Sequence, residues 1–252
     1  MSDAGLRISM FLRSFLVQAS WNFERLQNLG FAFLIYPALC RRYPPHSDEL
    51  ARAYVRNLEF FNTHPYFAGL VAAAIAGEEG GEGDEDSFLS DLKRSLMSSL
   101  GSVGDAFFWA VLRPLSALFA LVPALFGLWW APLVFLSIFN LPHVALRWWG
   151  VSQGLRRGCL VVQSIERLNL PRIVPALSLV MAGMIGFVAA VASLHPRWAP
   201  VDHGSALSFA AGPAVFLAAA ALNLRGLSPT KIVLGLGLAI CAGGLVTGGA
   251  GP

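Results

Sequence analysis

Apolar positions follow one another in long blocks along this chain, and a short polar block interrupts the first of them. Residues 20–30 read Ser-Trp-Asn-Phe-Glu-Arg-Leu-Gln-Asn-Leu-Gly, with apolar stretches on both sides. The polar residues are almost consecutive, so in a helix they would cover most of one turn instead of one face. We therefore expect a buried polar site here. Charged residues also interrupt residues 7–39, which favours a re-entrant or interfacial helix pair, or a span enclosed by protein.

The next block has the pattern of a short amphipathic helix over residues 47–61. Ser47 is placed to cap its N-terminus, and acidic residues follow in the first turn, where the helix dipole favours them. The block ends in Glu-Phe-Phe-Asn-Thr-His-Pro, and Pro65 disfavours a helical conformation at His64. We therefore expect residues 62–64 to form a turn.

An apolar stretch and an acidic stretch come next. Residues 67–76 are too few to cross a bilayer, so we expect a re-entrant segment or buried core. Residues 77–86 hold six acids and four glycines, which predicts a flexible aqueous loop. That loop is either a solvated linker, the interpretation we favour, or a docking tail for a basic partner.

A second amphipathic segment covers residues 87–105. Gly101 and Gly104 permit a tight turn or a close approach of two backbones. Asp105 stands where an N-cap belongs, and we expect a long apolar helix to start there.

Five apolar runs follow, each near the length that crosses a bilayer. They are residues 106–127, 128–148, 173–194, 205–224 and 231–250. Basic residues, Arg147 among them, concentrate in the connections on one side, which the positive-inside rule makes cytoplasmic. The predicted fold is an all-α integral membrane protein with about five transmembrane helices after an N-terminal half of re-entrant and amphipathic helices. We divide it into membrane-associated residues 1–76, an acidic loop and helix start at 77–94, and a transmembrane core at 95–252.

Composition supports this assignment. Of 252 residues, 56% are hydrophobic and 13% are charged, against about 25% charged in ordinary soluble domains. The net charge of +3 is small and dispersed, which argues against a nucleic-acid partner. Three distant cysteines, Cys40, Cys159 and Cys241, predict free buried thiols and no metal site. The N-terminus lacks the pattern of a cleaved signal peptide.

Several polar residues fall inside the apolar runs. An unpaired arginine at depth costs at least about 2.5 kcal/mol, so Arg113 needs a partner, and Asp105 or Glu24 would serve across the bundle or from a neighbouring subunit. For Asn140 and His143 we favour hydrogen bonds between helices over a polar pathway.

The chain shows no nucleophile with a base, no phosphate-binding glycine loop and no cofactor motif. Transport or scaffolding is therefore favoured over catalysis. Amides combined with a few charges suit a neutral polyhydroxylated ligand, which needs both donors and acceptors.

Three ordered motifs resemble a known family. They are residues 20–27 with Gly30-Phe31, residues 59–65, and a third set comprising Leu96-Met97, Gly104-Asp105, Phe108-Trp109 and Arg113-Pro114. Together they are similar to the IID membrane subunit of mannose-family sugar phosphotransferase systems (PTS). The resemblance implies a hetero-oligomeric permease in the bacterial cytoplasmic membrane, where a IIC subunit shares the hexose path. It also implies that separate IIA and IIB subunits carry the phosphoryl group, so this chain has no catalytic residue and no cofactor.

The resemblance also implies roles for individual residues. Those expected in the sugar path or its IIC-facing wall are Asn22, Glu24, Gln27, Asn62 and Thr63. Those expected as structural, charge or proton partners are Arg25, His64, Asp105 and Arg113. The chain departs from the family pattern at Ser99 and Ala106, where prolines are usual, and in its acidic loop. The alternative is a non-transporting regulatory or scaffold paralogue that binds a soluble partner.

Overall fold

The computed structural model describes residues 2–80 and 85–194, and the regular structure within these residues is helical. In chain order the α-helices are α1 (Asp3–Ser14), α2 (Asn28–Arg42), α3 (Asp48–Asn57), α4 (Ala68–Glu78), α5 (Glu85–Gly104), α6 (Arg113–Leu125), α7 (Ala131–Arg157), α8 (Val161–Leu168) and α9 (Leu170–Leu194). A π-helix (Asp105–Leu112) joins α5 to α6, and a 3-10 turn (Gly158–Leu160) joins α7 to α8. The predicted all-α fold class is confirmed over the described residues.

Side-chain caps start two of the early helices. The Ser2 hydroxyl accepts a hydrogen bond from the Gly5 N–H at 3.1 Å, and the Ser47 hydroxyl accepts one from the Leu50 N–H at 3.2 Å. Each cap satisfies a backbone donor that has no partner inside its helix. The predicted cap at Ser47 is therefore confirmed. Residues 62–64 are non-helical, as expected before a proline, but the turn lies at residues 65–67 and not at 62–64.

Helix α4 lies at the centre of the packing. All of its side chains from Ala68 to Ile75 are buried, so residues 67–76 form core. Small residues let α7 approach closely: a Cβ atom added to Gly154 would lie 2.6 Å from the Cβ of Ala73, and one added to Gly150 would lie 2.9 Å from the Cβ of Leu70. Such contacts between small residues are a common way to pack helices in membranes.

The expected N-cap at Asp105 is wrong. Helix α5 begins at Glu85 and continues without a break through the π-helix into α6. The conformation of Gly104 is helical, with φ −65° and ψ −44°, so it makes no turn. A close approach explains this glycine, because an added Cβ would lie 2.3 Å from the Cβ of His64.

The expected flexible loop at 77–86 is wrong for residues 77–80 and for residues 85–86, which begin helix α5. Helix α4 extends to Glu78. The buried Glu79 carboxylate accepts hydrogen bonds from the Tyr43 hydroxyl at 2.8 Å and from the Arg56 guanidinium at 2.6 Å. Asp86 also pairs with Arg56. Two acids of the run are thus neutralised within the fold, while residues 81–84 lie outside the described residues.

Arg56 forms a small ionic cluster with Glu79 and Asp86. Burial lowers the pKa of its guanidinium, but the hydrogen bond and charge of Glu79, followed by those of Asp86, outweigh burial and leave the pKa raised. Arg56 therefore stays charged and joins the end of α3 to the end of α4 and the start of α5.

Two helical stretches of the described residues are long and apolar enough to cross a membrane, namely Asp86–Leu125 and Ala131–Val188. The second is interrupted at Gly158 and Asn169, where φ is +51° and +49°. The predicted runs 106–127, 128–148 and 173–194 overlap these stretches, apart from a few residues at their ends. The runs 205–224 and 231–250 lie outside the described residues.

The cysteines differ from expectation in one respect. Cys40 and Cys159 are free, as predicted, but Cys40 is exposed and Cys159 is only half-buried. Cys40 is exposed because it lies on the outer face of α2, near its end. Cys241 lies outside the described residues.

Candidate functional site

The first polar loop (residues 20–27) connects α1 to α2 and closes on itself. Asn22 and Leu26 exchange two backbone hydrogen bonds of 3.0 Å. The side chain of Asn22 accepts a bond from the Arg25 N–H at 2.8 Å and donates one to Asn28 Oδ1 at 2.7 Å. Leu26 has a φ of +55°, a conformation that L-residues seldom adopt. Asn22 therefore stabilises a tight backbone loop.

The second polar loop (residues 58–67) is bonded to the first. Gln27 Nε2 donates to the Thr63 carbonyl at 2.9 Å, and the Thr63 N–H donates to Gln27 Oε1 at 3.2 Å. The Asn28 amide donates to the Leu58 carbonyl at 2.7 Å. Gln27, Asn28 and Thr63 are buried, so these bonds supply partners that water does not. Two of the three sequence motifs thus meet in one surface.

Other predicted site residues lie on the outside of the two loops. Glu24 and Asn62 are exposed, and Phe23 between the polar residues of the first loop is 90% exposed. Arg25 is also exposed and donates to the Leu58 carbonyl at 3.4 Å. The structure therefore brings Gln27 and Thr63 together inside and leaves Glu24 and Asn62 accessible. The expected polar site is therefore only partly buried, with one part in the core and the other part on the surface.

His64 is part of the aromatic core. Its ring is 1% exposed and stacks on Phe108 with centroids 5.0 Å apart, while Tyr66 meets it edge-on at 4.7 Å. The Tyr66 N–H donates to His64 Nδ1 at 3.4 Å. These contacts, with the close approach of Gly104, position the second polar loop against the π-helix.

The two remaining predicted charges lie on the surface of the long helix. Asp105 and Arg113 are exposed, and the guanidinium of Arg113 lies 5.5 Å from the Trp109 ring centroid. Within residues 2–80 and 85–194, no acid pairs with Arg113, so neither Asp105 nor Glu24 is its partner inside the chain. The other expectation, a partner from a neighbouring subunit, stays a prediction.

Arg147 is a buried cation that the sequence analysis placed in a basic connection. It lies inside α7, is 4% exposed, and donates to both the carbonyl and the hydroxyl of Ser14. Its guanidinium also lies over the rings of Phe15 and Tyr66, at 4.7 and 4.9 Å. Helical spacing could have indicated that Arg147 is buried, because residues 140, 143 and 147 share one face of a helix.

Over the described ranges 2–80 and 85–194, the expected hydrogen bonds between helices at Asn140 and His143 are not formed. His143 Nε2 bonds to Asn140 Oδ1 at 2.8 Å within α7 itself. The His143 ring stacks on Tyr66 with centroids 4.3 Å apart. The reason is geometric, since residues three positions apart are neighbours on a helix.

Lys93 is a second buried cation that the sequence analysis missed. Its ammonium group lies 3.4 Å from the Asn57 carbonyl, 3.5 Å from the Glu59 carbonyl and 4.9 Å from the Phe31 ring centroid. It therefore satisfies carbonyls at the end of α3 and supports the second polar loop. Its spacing from buried Leu89, Leu96 and Leu100 on α5 could have identified it.

Comparison with protein families identifies the relatives of this chain. The family described as the PTS system mannose/fructose/sorbose family IID component matches residues 3–199. The sorbose-specific EIID component of Klebsiella pneumoniae is 41% identical over 162 residues, which are 63% of this chain and 59% of that protein. The mannose-specific EIID component of Escherichia coli (strain K12) is 40% identical over 160 residues, 62% of this chain and 56% of that protein. The matched segment thus spans under two thirds of either relative.

Further comparisons extend beyond this segment. The fructose permease IID component of Bacillus subtilis (strain 168) is 30% identical over 198 residues, 77% of this chain and 70% of that protein. A solved membrane protein has a TM-score of 0.73 at 29% identity, with 98% of this chain and 97% of that one covered. The mannose transporter ManYZ, solved with microcin E492, gives a TM-score of 0.60 at the same identity and coverage. The resemblance read from the three motifs is confirmed, and the chain belongs to the IID component family of the mannose/fructose/sorbose phosphotransferase system.

Proposed function

We propose that this chain is the IID subunit of a phosphoenolpyruvate-dependent sugar permease of the mannose/fructose/sorbose type. With a IIC subunit it forms the path of a hexose through the bacterial cytoplasmic membrane. A IIB subunit, charged by IIA, phosphorylates the sugar, so phosphoryl transfer needs no residue of this chain. The relatives named for sorbose, mannose and fructose support the substrate class.

The reciprocal hydrogen bonds between Gln27 and Thr63 are the observation that connects this proposal to particular residues. They join two motifs into one surface, and Glu24 and Asn62 are among its accessible polar side chains. A carboxylate accepts hydrogen bonds and an amide both donates and accepts them, which matches the hydroxyl groups of a sugar. We assign Glu24 and Asn62 to the sugar path or to its IIC-facing wall. Asn22, Gln27 and Thr63 maintain the shape of that surface.

The alternative is a scaffold that captures a soluble partner through the acidic run. Three of that run's carboxylates already have partners: Glu79 and Asp86 bind Arg56, and Glu78 accepts a hydrogen bond from the Cys159 N–H at 2.6 Å. The permease subunit is therefore the function that we favour.

Uptake of labelled hexose tests the proposal in cells that lack their own mannose-family system. The chain is expressed with IIC, IIB and IIA, and Glu24→Ala and Asn62→Ala are compared with wild type. We expect uptake to fall by about tenfold or more, the loss that corresponds to one interaction of about 1.4 kcal/mol. Mannose, sorbose and fructose are supplied separately.

Glu49→Ala is the matched control, because Glu49 is an exposed acid at the start of α3, outside both polar loops. It should leave uptake unchanged. Unchanged uptake in both loop variants would refute the site assignment. Failure of the wild-type chain to co-purify with IIC would refute the subunit role itself.

A further inference from the structure

A cleft lined by four arginines opens between α1, α2, α4 and α7. Its volume is about 380 Å³, within the range of about 300–1,000 Å³ that is typical of small-molecule sites. Arg7 comes from α1, Arg41 and Arg42 from the last turn of α2, and Arg156 from the last turn of α7. We call this cavity the basic cleft.

The charges that line the basic cleft do not balance. Among the described lining residues, four arginines face one acid, Asp3, which pairs with Arg41 at 2.5 Å. Arg42 donates to the Gly80 carbonyl at 2.8 Å, which uses a donor without neutralising the charge. Of the described acids, none lies within ion-pair distance of Arg7 or Arg156. Like charges that share a cavity repel one another, so a bound anion would stabilise this arrangement.

Helix dipoles account for only part of the cluster. Arginines in the last turns of α2 and α7 interact favourably with the carbonyl ends of those helices. Arg7 lies in the middle of α1, so the dipole does not explain it. Its Nε atom is buried and has no hydrogen-bond partner among the residues that the structure describes. A buried donor of this kind costs free energy unless a ligand accepts from it.

The arginine side chains and the position of the cleft between helices of a membrane protein indicate the chemistry of the ligand. The planar guanidinium donates two parallel hydrogen bonds to a phosphate, and basic pockets between membrane helices recognise lipid headgroups. The lining also includes two alanines, Ala38 and Ala76, and the glycine Gly77, which occupy little of the cavity. Ile8 and Leu12 of α1 are exposed apolar residues, as expected for a helix in contact with acyl chains.

We propose that the basic cleft binds a phosphate ester, and that the headgroup of an anionic phospholipid supplies it. The phosphate oxygens accept hydrogen bonds from Arg7 and Arg156, the two arginines of the cleft for which the described part of the chain supplies no acid or carbonyl partner. This site is separate from the two polar loops and does not depend on the function proposed above.

Thermal unfolding of the full chain in a neutral detergent tests this site. The probes are phosphatidylglycerol, phosphatidylcholine, inorganic phosphate and hexose 6-phosphate, each titrated separately. We expect phosphatidylglycerol to raise the unfolding midpoint of the wild type in a saturable manner, since a ligand that binds the folded state stabilises it. Phosphatidylcholine, whose headgroup has no net charge, should have little effect.

Arg7→Gln with Arg156→Gln should weaken the apparent affinity for phosphatidylglycerol about tenfold or more, because charge-assisted hydrogen bonds are lost. The matched control is Arg52→Gln with Arg94→Gln, which removes two arginines whose side chains are 66% and 68% exposed. Arg156→Gln alone, at an exposed position, provides a variant that folds if the double variant does not.

Each result has one meaning. Weaker binding in the arginine variants than in the control supports the site. If inorganic phosphate or hexose 6-phosphate shifts the midpoint with the same arginine dependence and phosphatidylglycerol does not, the site stands and its ligand is a soluble phosphate compound. Equal affinities in the arginine and control variants, or no shift with any probe, would overturn the proposal.

Discussion

Gln27 and Thr63 are 36 residues apart in sequence and bind each other through a reciprocal pair of hydrogen bonds. The Gln27 amide replaces water for both the N–H and the carbonyl of Thr63. Because the pair is buried, it makes the relative position of the two polar loops specific. The accessible Glu24 and Asn62 depend on this internal contact for their placement.

Gln27→Leu should therefore destabilise the protein markedly. The substitution leaves two buried backbone groups without partners, and each costs about 1–3 kcal/mol. We expect the free energy of unfolding, measured by denaturant titration in detergent, to fall by at least about 2 kcal/mol. Asn62→Ala is the control in the second polar loop, next to Thr63, and a change at an exposed position should stay within about 0.5 kcal/mol. Similar losses in both variants would contradict this account of the Gln27–Thr63 pair.

Gly104→Ala tests the contact between the long helix and the second polar loop. The new Cβ would lie 2.3 Å from the Cβ of His64, so helix and loop must separate. Overpacking of this kind costs about 1–3 kcal/mol.

Gly101→Ala is a matched control one turn earlier, where the nearest atom lies 3.9 Å from the added Cβ. Alanine favours a helix over glycine by about 1 kcal/mol, so this variant should be neutral or more stable. Thermal unfolding midpoints of the two variants should shift in opposite directions. A stable Gly104→Ala protein would exclude the close approach.

Sequence reasoning succeeded where a local rule decides the outcome. The Ser47 cap depends on an N–H three residues away, and the non-helical conformation of residues 62–64 depends on the proline that follows them. The apolar composition also indicated helices long enough to cross a membrane. These are local properties of the chain, so neighbouring residues suffice to predict them.

The errors occurred where distant residues decide the outcome. Gly104 looked like a helix boundary, yet its role is set by His64, which packs against it from 40 positions earlier in the sequence. Arg147 looked like a loop charge, yet it is buried because the carbonyl of Ser14, 133 positions away, accepts its hydrogen bond. The acidic run likewise looked solvated, yet Arg56 and Tyr43 donate hydrogen bonds to the buried carboxylate of Glu79. Tertiary partners of this kind cannot be read from spacing.

Glu79→Gln should break the ionic cluster at the ends of α3 and α4. The Glu79 side chain is 1% exposed and that of Arg56 is 10% exposed, so the pair is largely shielded from water. Removing one partner of a buried pair costs about 3–5 kcal/mol. We expect the lower end of this range, because Asp86 still pairs with Arg56. Denaturant unfolding measures the loss.

Asp91→Asn is the control for Glu79→Gln. It removes an acid that pairs with Arg94 at 3.6 Å, with both side chains about 70% exposed. Exposed pairs contribute about 0–1 kcal/mol, so this variant should be close to wild type. If the two variants lose equal stability, the carboxylate of Glu79 is not a structural partner of Arg56.

Arg147→Lys tests how the end of α1 is held. The carbonyl of Ser14 lies in the last turn of α1, where it has no partner in its own helix, and the Arg147 guanidinium donates to it and to the Ser14 hydroxyl. Both hydrogen bonds come from one nitrogen, Arg147 Nη1. A lysine ammonium keeps the charge but lacks the planar guanidinium that lies over the rings of Phe15 and Tyr66 while its Nη1 reaches Ser14. We expect a loss of about 1.5–3 kcal/mol, the contribution of a hydrogen bond to a charged group.

Amide hydrogen exchange locates the effect of Arg147→Lys. If Arg147 supports the end of α1, exchange should accelerate in peptides that cover α1 and the first polar loop, because local opening becomes easier when a partner of the helix end is lost. Arg157→Lys changes an exposed arginine of the same helix, and it should leave both exchange and stability unchanged. Faster exchange spread evenly over all helices would mean that Arg147 contributes to global stability alone. Faster exchange confined to α1 and its loop would connect this buried cation, through Ser14, to the surface that carries Glu24.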